Sequence, residues 1–256
     1  PTIELFGGKT IAVQLDPEDF KINWELVKGL ITDKTKMIII NTPHNPSGRV
    51  LPKNDMLQLE DLLKNTNILL LSDEVYEHII FDGEKHQSAA LFPALAERTF
   101  ITASFGKTFH NTGWKVGYCI APAELTKEFR KVHQFNVFSV NHPKQVALAE
   151  YLKTPSNYLG LGNFYQEKRD LFLSLIKDSK FEFTPSKGTY FQLLNFKNIT
   201  KESDYDFAIR LTKEEKIASI PISVFNSSNL DTKVLRFCFA KTDETLKKAA
   251  KILCNI

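Results

Sequence analysis

The sequence has few cysteines, no long apolar run and little excess of charge, and each shortage excludes a class of protein. Cys119, Cys238 and Cys254 are scattered and form no C-x-x-C pair, so we expect no disulfide framework and a reducing compartment, the cytoplasm. The six histidines lack metal-ligand spacing, and we expect no metal. No segment has the length of a transmembrane helix, and no signal peptide is recognisable, so we expect no membrane partner. A net charge of +3 over 256 residues gives no reason to expect nucleic acid.

What the chain does contain is an ordinary globular composition, 43% hydrophobic and 25% charged, sufficient for one or two domains. Short apolar runs alternate with helical patterns, which is typical of βαβ units. The fold class predicted for the first part is therefore α/β, with a mainly parallel sheet and flanking helices. The predicted strands are Thr10–Leu15, Met37–Ile40, Ile68–Leu71, Phe100–Ala103 and Gly117–Ala121.

Helix signals lie between these strands. Asn23 can cap a short helix, and Pro52 can open another that buries Leu57, Leu59, Leu62 and Leu63. A long helical stretch begins at Pro122 and is interrupted near residues 141–143, and a further helix is predicted from about Pro155 to Lys177.

The pattern changes after this point to that of a smaller α+β C-terminal domain. We therefore place a domain boundary near Lys153, giving a first domain of residues 1–152 with an interdomain helix and a second of residues 153–256. The later predicted elements are strands at Phe181–Thr184, Gly188–Leu194, Ile217–Ile220 and Val234–Phe239, with helices at Asp204–Glu215 and Asp243–Leu253.

Polar residues follow three of the apolar runs. Asn45 follows the run at Met37–Ile40, Asp73 and Tyr76 follow the next, and Lys107 follows the third. Because ligands of parallel sheets bind at the carboxyl ends of the strands, an amide, a carboxylate, a phenol and an amine should converge on one crevice. This set suits a pyridine cofactor held as a Schiff base.

Each of these residues also has a simpler interpretation. Lys107 could be an ordinary solvated lysine. A Schiff-base lysine instead needs burial or nearby cations to be neutral. The neighbouring residues Phe105, Phe109, Trp114 and Lys115 could supply both. Asp73 could be a helix cap or a metal ligand rather than the partner of a pyridinium nitrogen. Asn45 could be a turn residue rather than a donor, with Tyr76, to the ring's phenolic oxygen.

Anion-binding groups complete the candidate site. Ser104 and Lys115 offer a hydroxyl and a positive charge for a phosphate. Arg236 lies in an apolar strand, where it should bind an α-carboxylate or form a structural salt bridge. A P-loop is excluded although Gly-Lys-Thr occurs twice, because Ile3 and Ile101 stand where that loop requires glycine.

Together these residues resemble the class I and II aminotransferases, which are fold-type I enzymes dependent on pyridoxal 5'-phosphate. The resemblance covers essentially the whole chain. The short sequences Gly188-Thr-Tyr-Phe and Ser223-Val-Phe resemble those of the branch that contains methionine and kynurenine (glutamine) aminotransferases. The motifs that carry it are Asn-Thr-Pro-His-Asn45-Pro-Ser-Gly, Ser-Asp73-Glu-Val-Tyr76, Ser104-Phe-Gly-Lys107-Thr-Phe, Gly-Trp-Lys115-Val-Gly and Leu-Arg236-Phe-Cys-Phe-Ala.

The resemblance implies a role for each residue. Lys107 would attach the cofactor and shuttle the proton, and Asp73 would hold the pyridine nitrogen. Asn45 and Tyr76 would bind the phenolic oxygen. The phosphate would be bound by Ser104 and Lys115, the latter where many relatives have arginine, and the substrate carboxylate by Arg236, with Asn45 also near the substrate.

The resemblance further implies a homodimer and ping-pong transfer from an L-amino acid of methionine, aromatic, glutamine or kynurenine type to a 2-oxo acid. The family's upstream segment, with a phosphate loop and a ring-stacking aromatic, has no counterpart after Pro1, so we expect the natural protein to be longer and the large domain to be N-terminally incomplete here. Two alternatives stay open, a carbon–sulfur β-lyase of the same fold and a non-catalytic fragment.

Overall fold

A four-stranded sheet organises the first part of the chain in the computed structural model, which describes residues 1–256. Its order is β1-β2-β3-β4, with the first three strands parallel and the last antiparallel to its neighbour. This confirms the predicted α/β class with a mainly parallel sheet. The strands are β1 (Met37–Asn41), β2 (Leu69–Asp73), β3 (Thr99–Ser104) and β4 (Gly117–Ile120).

Five helices lie in this part of the chain: α1 (Thr2–Leu5), α2 (Trp24–Leu30), α3 (Lys53–Leu63), α4 (Pro93–Ala96) and α5 (Phe105–Thr108). The side chain of Asn23 caps α2 by accepting the N–H of Leu26, as predicted. Helix α3 buries Leu59 and Leu63, but Leu57 is 44% exposed, so its predicted burial is wrong. Met56, one residue earlier, lies on the buried face because residues three and four apart share a helix side.

Four helices follow the first sheet: α6 (Ala123–Asn136), α7 (His142–Leu152), α8 (Ser156–Leu159) and α9 (Leu161–Ile176). The predicted interruption near residue 141 is present. The single helix predicted from Pro155 to Lys177 is instead two, which meet at Gly160.

The second sheet is antiparallel, in the order β5-β7-β6, with β5 (Phe191–Asn195), β6 (Ile220–Pro221) and β7 (Val234–Cys238). Helices α10 (Asp204–Lys213) and α11 (Asp243–Leu253) accompany it. Two predicted strands are reduced: residues 181–184 form only one bridge, between Glu182 and Asn195, and residues 217–219 precede the short β6.

The strand predicted at Thr10–Leu15 is wrong, because these residues are irregular. Their composition favours a strand, but no neighbouring strand offers the backbone partners that a ladder requires.

Two hydrophobic cores hold the structure together. The smaller packs Met56, Leu59 and Leu70 between α3 and the first sheet. The larger surrounds the second sheet, and it also includes Tyr76 and Phe81 from the loop after β2. The loop that leaves the first sheet is therefore fixed by the second core. No helix is both long and apolar enough to span a bilayer.

Candidate active site

Lys107 lies one turn beyond the end of β3. Ser104 ends that strand and caps α5, its hydroxyl oxygen accepting the N–H of Gly106 at 3.1 Å. The Lys107 side chain is partly buried, with Nζ 6.0 Å from the centroid of the Tyr190 ring. No carboxylate in the chain pairs with this amine. The amine thus lies beside an aromatic surface and has no ion-pair partner in the chain.

Asp73 ends β2, in register with Asn41 of β1 and Thr102 of β3. Its backbone carbonyl accepts the Asn41 side-chain amide at 2.9 Å, and its carboxylate accepts only the N–H of Val75, at 3.3 Å. Burial raises the pKa of the Asp73 carboxyl, the hydrogen bond from Val75 opposes the rise, and the charge of Glu74 adds to it. A half-buried carboxylate with no cation is suited to a protonated ligand nitrogen.

Glu74 fixes the backbone directly after Asp73. Its carboxylate is fully buried and accepts hydrogen bonds from Ser72 Oγ at 2.8 Å and Ala89 N at 3.0 Å, and it pairs with His86 Nε2 at 2.7 Å. Burial raises the pKa of Glu74, but the bonds from His86 and its other donors outweigh burial and the net pKa is lowered. Glu74 is therefore a structural anion, distinct from the open carboxylate of Asp73.

Tyr76 is 2% exposed and packs edge-on against two aromatic rings, Tyr190 at 5.3 Å and Phe191 at 6.1 Å between centroids. Burial, followed by the neighbouring Tyr190 hydroxyl, raises the pKa of Tyr76 well above its ordinary value. Its hydroxyl is therefore a hydrogen-bond donor across the physiological pH range.

Arg236 joins the second sheet to the first. Its Nη1 donates to Asn45 Oδ1, while the Asn45 N–H donates to Asn41 Oδ1 at 2.8 Å. The guanidinium carbon lies 4.0 Å from the Phe191 ring centroid. Burial lowers the pKa of Arg236, and no carboxylate of the chain pairs with it. The structural salt bridge considered from the sequence is absent, which leaves most of the guanidinium donors for an external anion.

The proposed phosphate ligands are less closely tied to this group. Lys115 has a left-handed backbone, φ 56°, and an exposed side chain without an ion-pair partner. The Ser104 hydroxyl accepts from Gly106 and keeps its own proton for another acceptor. No hydrogen bond or ion pair joins Lys115 to the other candidate residues.

Two aromatic rings lie between the predicted residues Lys107, Tyr76 and Arg236. Tyr190 lies between Lys107 and Tyr76, and Phe191 lies between Tyr76 and Arg236. Neither ring, nor Asn41, is among the site residues predicted from sequence. Asn41 could have been predicted from the sequence, because it follows an apolar run at the end of a strand, as Asp73 does.

The chemistry of this donor set fits pyridoxal phosphate. The chain presents an amine without a partner, a carboxylate without a cation, a protonated phenol and a guanidinium without an anion. These groups complement, in the same order, an aldehyde, a protonated ring nitrogen, a phenolic oxygen and a substrate carboxylate.

Comparison with known proteins gives a consistent result. The sequence profile of the family described as aminotransferase class I and II matches residues 1–253. The chain is 43% identical over 254 residues to a methionine aminotransferase of Escherichia coli (strain K12), covering 99% of this chain and 66% of that protein. It is 36% identical to a kynurenine–oxoglutarate transaminase of Dictyostelium discoideum, covering 90% of this chain and 58% of the relative.

Solved structures show the same fold. The crystal structure of YbdL from Escherichia coli, a protein identified with a methionine aminotransferase function, superposes with a TM-score of 0.97 at 43% identity, covering all of this chain and 68% of that one. Aspartate aminotransferase of Thermus thermophilus with maleate superposes with a TM-score of 0.88 at 28% identity, covering 99% of this chain and 65% of that one. The chain thus spans about two thirds or less of the curated relatives it matches.

Proposed function

This chain belongs to the aminotransferase class I and II family, a family dependent on pyridoxal phosphate, and on that premise we propose that it transfers the amino group of an L-amino acid to a 2-oxo acid by a ping-pong mechanism. The observation that carries the proposal is the guanidinium of Arg236, half-buried beside Asn45 and without an anion from the chain. A buried cation of this kind needs a carboxylate, and amino and 2-oxo acids share one.

Pyridoxal phosphate, when bound, supplies an electron sink for charge that develops at the substrate's α-carbon. Asp73 would accept the hydrogen bond of a protonated ring nitrogen, because its half-buried carboxylate has no cation from the chain and only one backbone donor. Tyr76 would donate its hydroxyl to the ring's phenolic oxygen. Asn45 can donate its amide N–H to the same oxygen, because its Oδ1 is occupied by Arg236.

Lys107 has two roles in this proposal. Its Nζ would hold the cofactor through the aldehyde carbon, a bond that forms with loss of water, and once a substrate amine replaced it the same Nζ would move a proton to and from the substrate's α-carbon. The adjacent Tyr190 ring limits water at Nζ on one side. Ser104 and Lys115 would bind the phosphate, the first through its remaining hydroxyl proton and the second through charge.

Arg236 orients the substrate by a two-point contact with the α-carboxylate, supported by the Phe191 ring beneath the guanidinium. We propose methionine, aromatic amino acids, glutamine or kynurenine as donors. Support comes from relatives named methionine aminotransferase and kynurenine–oxoglutarate transaminase.

We also propose two domains divided near Lys153, a homodimer and a cytoplasmic location. Two sheets with separate cores support the division. Large apolar side chains of the α6 region support the dimer, since Val132, Phe135 and Phe138 are 68%, 88% and 78% exposed. The three free cysteines fit a reducing compartment.

The experiment is an assay of the protein expressed from its complete reading frame and loaded with pyridoxal phosphate. Methionine, phenylalanine, glutamine and kynurenine are each supplied with a 2-oxo acid acceptor, and the new amino acid and new oxo acid are quantified. We expect equimolar formation of the two products. Pyruvate and ammonia released from cystathionine without an acceptor would instead identify a β-lyase. Failure to bind the cofactor would identify a non-catalytic protein.

A further inference from the structure

The segment from Ile222 to Asp231, here called the flap, lies between β6 and β7. It is attached at both ends to the start of α10. At its beginning, Ser223 donates its N–H and its hydroxyl to the two oxygens of the Asp204 carboxylate, at 2.8 and 2.7 Å. At its end, Asp231 Oδ2 accepts the N–H of Asp204 at 3.2 Å. Because Asp204 is 1% exposed, both attachments are anchored in the interior.

Between these anchors the flap is exposed and carries three large apolar side chains. Val224, Phe225 and Leu230 are 54%, 44% and 40% exposed. The ring of Phe225 lies near the substrate-binding cation, with its centroid 5.2 Å from the guanidinium carbon of Arg236. Phe191, the other ring beside this guanidinium, is 8% exposed and has no free surface to offer a ligand. Phe225 therefore supplies the available apolar surface at this point.

Apart from the anchoring Asp231, the flap and the five residues before it also lack charge. A quarter of the chain is Asp, Glu, Lys or Arg, yet the run from Ile217 to Leu230 contains none of these and no histidine. A substrate side chain that reaches the flap therefore meets apolar and neutral groups. A second carboxylate there would lose its hydration without gaining a cation.

Given the proposed function, we propose that Phe225 is a specificity-determining residue that packs against the donor's side chain. The site then prefers amino acids with a long, uncharged, apolar side chain, a thioether or an aromatic ring. The side chain and the carboxylate leave the same α-carbon. When Arg236 holds the carboxylate in a charged fork of roughly 2.8 Å N–O bonds, the atoms beyond Cβ are within reach of a ring adjacent to that guanidinium.

A positioning role is the competing explanation, because a ring beside a guanidinium can simply orient it. The two roles differ in their dependence on donor length. Loss of an Arg236 support weakens every donor alike, alanine included. Loss of a side-chain contact weakens long donors and leaves alanine unchanged, since alanine has no atom beyond Cβ.

The first measurement is kcat/KM for alanine, 2-aminobutyrate, norvaline and methionine in the loaded protein expressed from its complete reading frame. In the parent we expect kcat/KM to rise with side-chain length. Phe225→Ala should lower the methionine-to-alanine ratio roughly tenfold, in the range for one or two lost methylene contacts, with alanine changed less than twofold. Phe225→Leu should lie between them. Val224→Ala, a more exposed apolar residue of the same turn, is the matched control and should leave the ratio unchanged.

The second measurement does not depend on turnover. Dissociation constants of straight-chain carboxylates with two to six carbons are measured by calorimetry in the same variants. We expect affinity to increase with length in the parent and the increase to flatten in Phe225→Ala. An equal loss for all lengths would show a positioning role, and no change would remove Phe225 from the site. If the parent binds these acids with the expected trend but does not transaminate, the proposed function fails while the specificity assignment stands.

Discussion

At the scale of single residues, the site is defined by charged and polar groups that the chain itself leaves without partners. Glu74 and Asp73 are adjacent, yet the first is enclosed by His86, Ser72 and Ala89 while the second accepts one backbone N–H. The same contrast separates Arg169, which is fully paired, from Arg236. Burial without a partner costs free energy, so such groups mark places where a ligand completes the structure.

Arg236 gives the first prediction. Arg236→Ala should lower kcat/KM for α-amino acids by roughly 30- to 900-fold, since a charge-assisted fork is worth about 2–4 kcal/mol. Arg236→Lys keeps the charge but loses the fork and should fall between the parent and Arg236→Ala. Steady-state kinetics gives the effect, and cofactor absorbance is the control because cofactor binding should be nearly unchanged. Unaltered kcat/KM in Arg236→Ala would remove this residue from the carboxylate site.

His44 gives a prediction about pH. Burial, with the charge of Arg49 adding to it, lowers the pKa of His44 from 6.5 to about 4. The unfolded chain therefore binds the proton first, and the free energy of unfolding should fall as pH drops from about 6.5 to 4, by up to about 3 kcal/mol. Urea unfolding of the parent and of His44→Gln at pH 5 and 7 measures it. The variant should lose most of this dependence; His142→Gln, at an exposed position, should retain it.

At the scale of elements, the site depends on loops that are packed against one another at glycines. The loop after β1 contacts the turn before β5, where Lys187 N donates to Gly48 O at 3.1 Å. Gly48 has a left-handed backbone, φ 71°. At Gly188 a Cβ would lie 2.8 Å from Pro43 Cβ and 3.1 Å from Ile79 O. These contacts hold Asn45 within reach of Arg236.

Gly188→Ala should therefore destabilise the protein by about 1–3 kcal/mol, the cost of overpacking a filled site. It should also raise the donor's KM, because Pro43 lies in the loop that positions Asn45. Gly29→Ala is the matched control: a Cβ there meets no atom within 4 Å in helix α2, so stability should be unchanged or slightly higher. Chemical denaturation compares the two, and equal effects would contradict the close packing described.

The elements that could be predicted from sequence are those with a local cause. Asn23 caps its helix through its own side chain, and the apolar runs of β1 to β3 form strands because each has a neighbour. Thr10–Leu15 has a similar pattern but no partner strand, and a pattern alone cannot supply one. The place of Tyr190 in the site depends on its contact with Lys107, which is distant in sequence, and the proximity of Phe225 to Arg236 depends on how the segment between β6 and β7 folds back. Lys107, Asp73 and Arg236 could be proposed as site residues from sequence, because each lies in a short motif whose residue types indicate its chemistry.

At the scale of the whole molecule, the two parts of the chain are joined by ion pairs between a buried arginine and carboxylates at the surface. Arg169 of α9 is 3% exposed and donates to both oxygens of Asp82 at 2.7 and 2.8 Å and to the carbonyl of Ser186 at 2.7 Å. Asp82 follows the loop that carries Tyr76 and Phe81 into the larger core. The cluster therefore fixes the geometry of the site from a distance.

Arg169→Met should cost about 1–3 kcal/mol of unfolding free energy at pH 7, because it leaves the Ser186 carbonyl without its donor and leaves Asp82 with Lys187 alone. Hydrogen bonds from Arg169 hold the pKa of Asp82 well below 3.8, so the stabilisation is present above about pH 4 and is lost on further acidification. Denaturant unfolding measures it. Lys131→Met, which removes an exposed pair with Glu128, should cost under about 1 kcal/mol; equal losses would contradict a structural role for the cluster.

Lys107 is assigned as the residue that binds the cofactor, and chemical trapping followed by peptide mapping checks this assignment. The loaded protein is reduced with borohydride, which fixes a cofactor held by an amine, and is then digested and mapped by mass spectrometry. We expect the pyridoxyl group on Lys107 alone and no labelled peptide from Lys107→Ala. A pyridoxyl group on Lys115 or on another lysine, or unchanged labelling in Lys107→Ala, would contradict the assignment of the whole site.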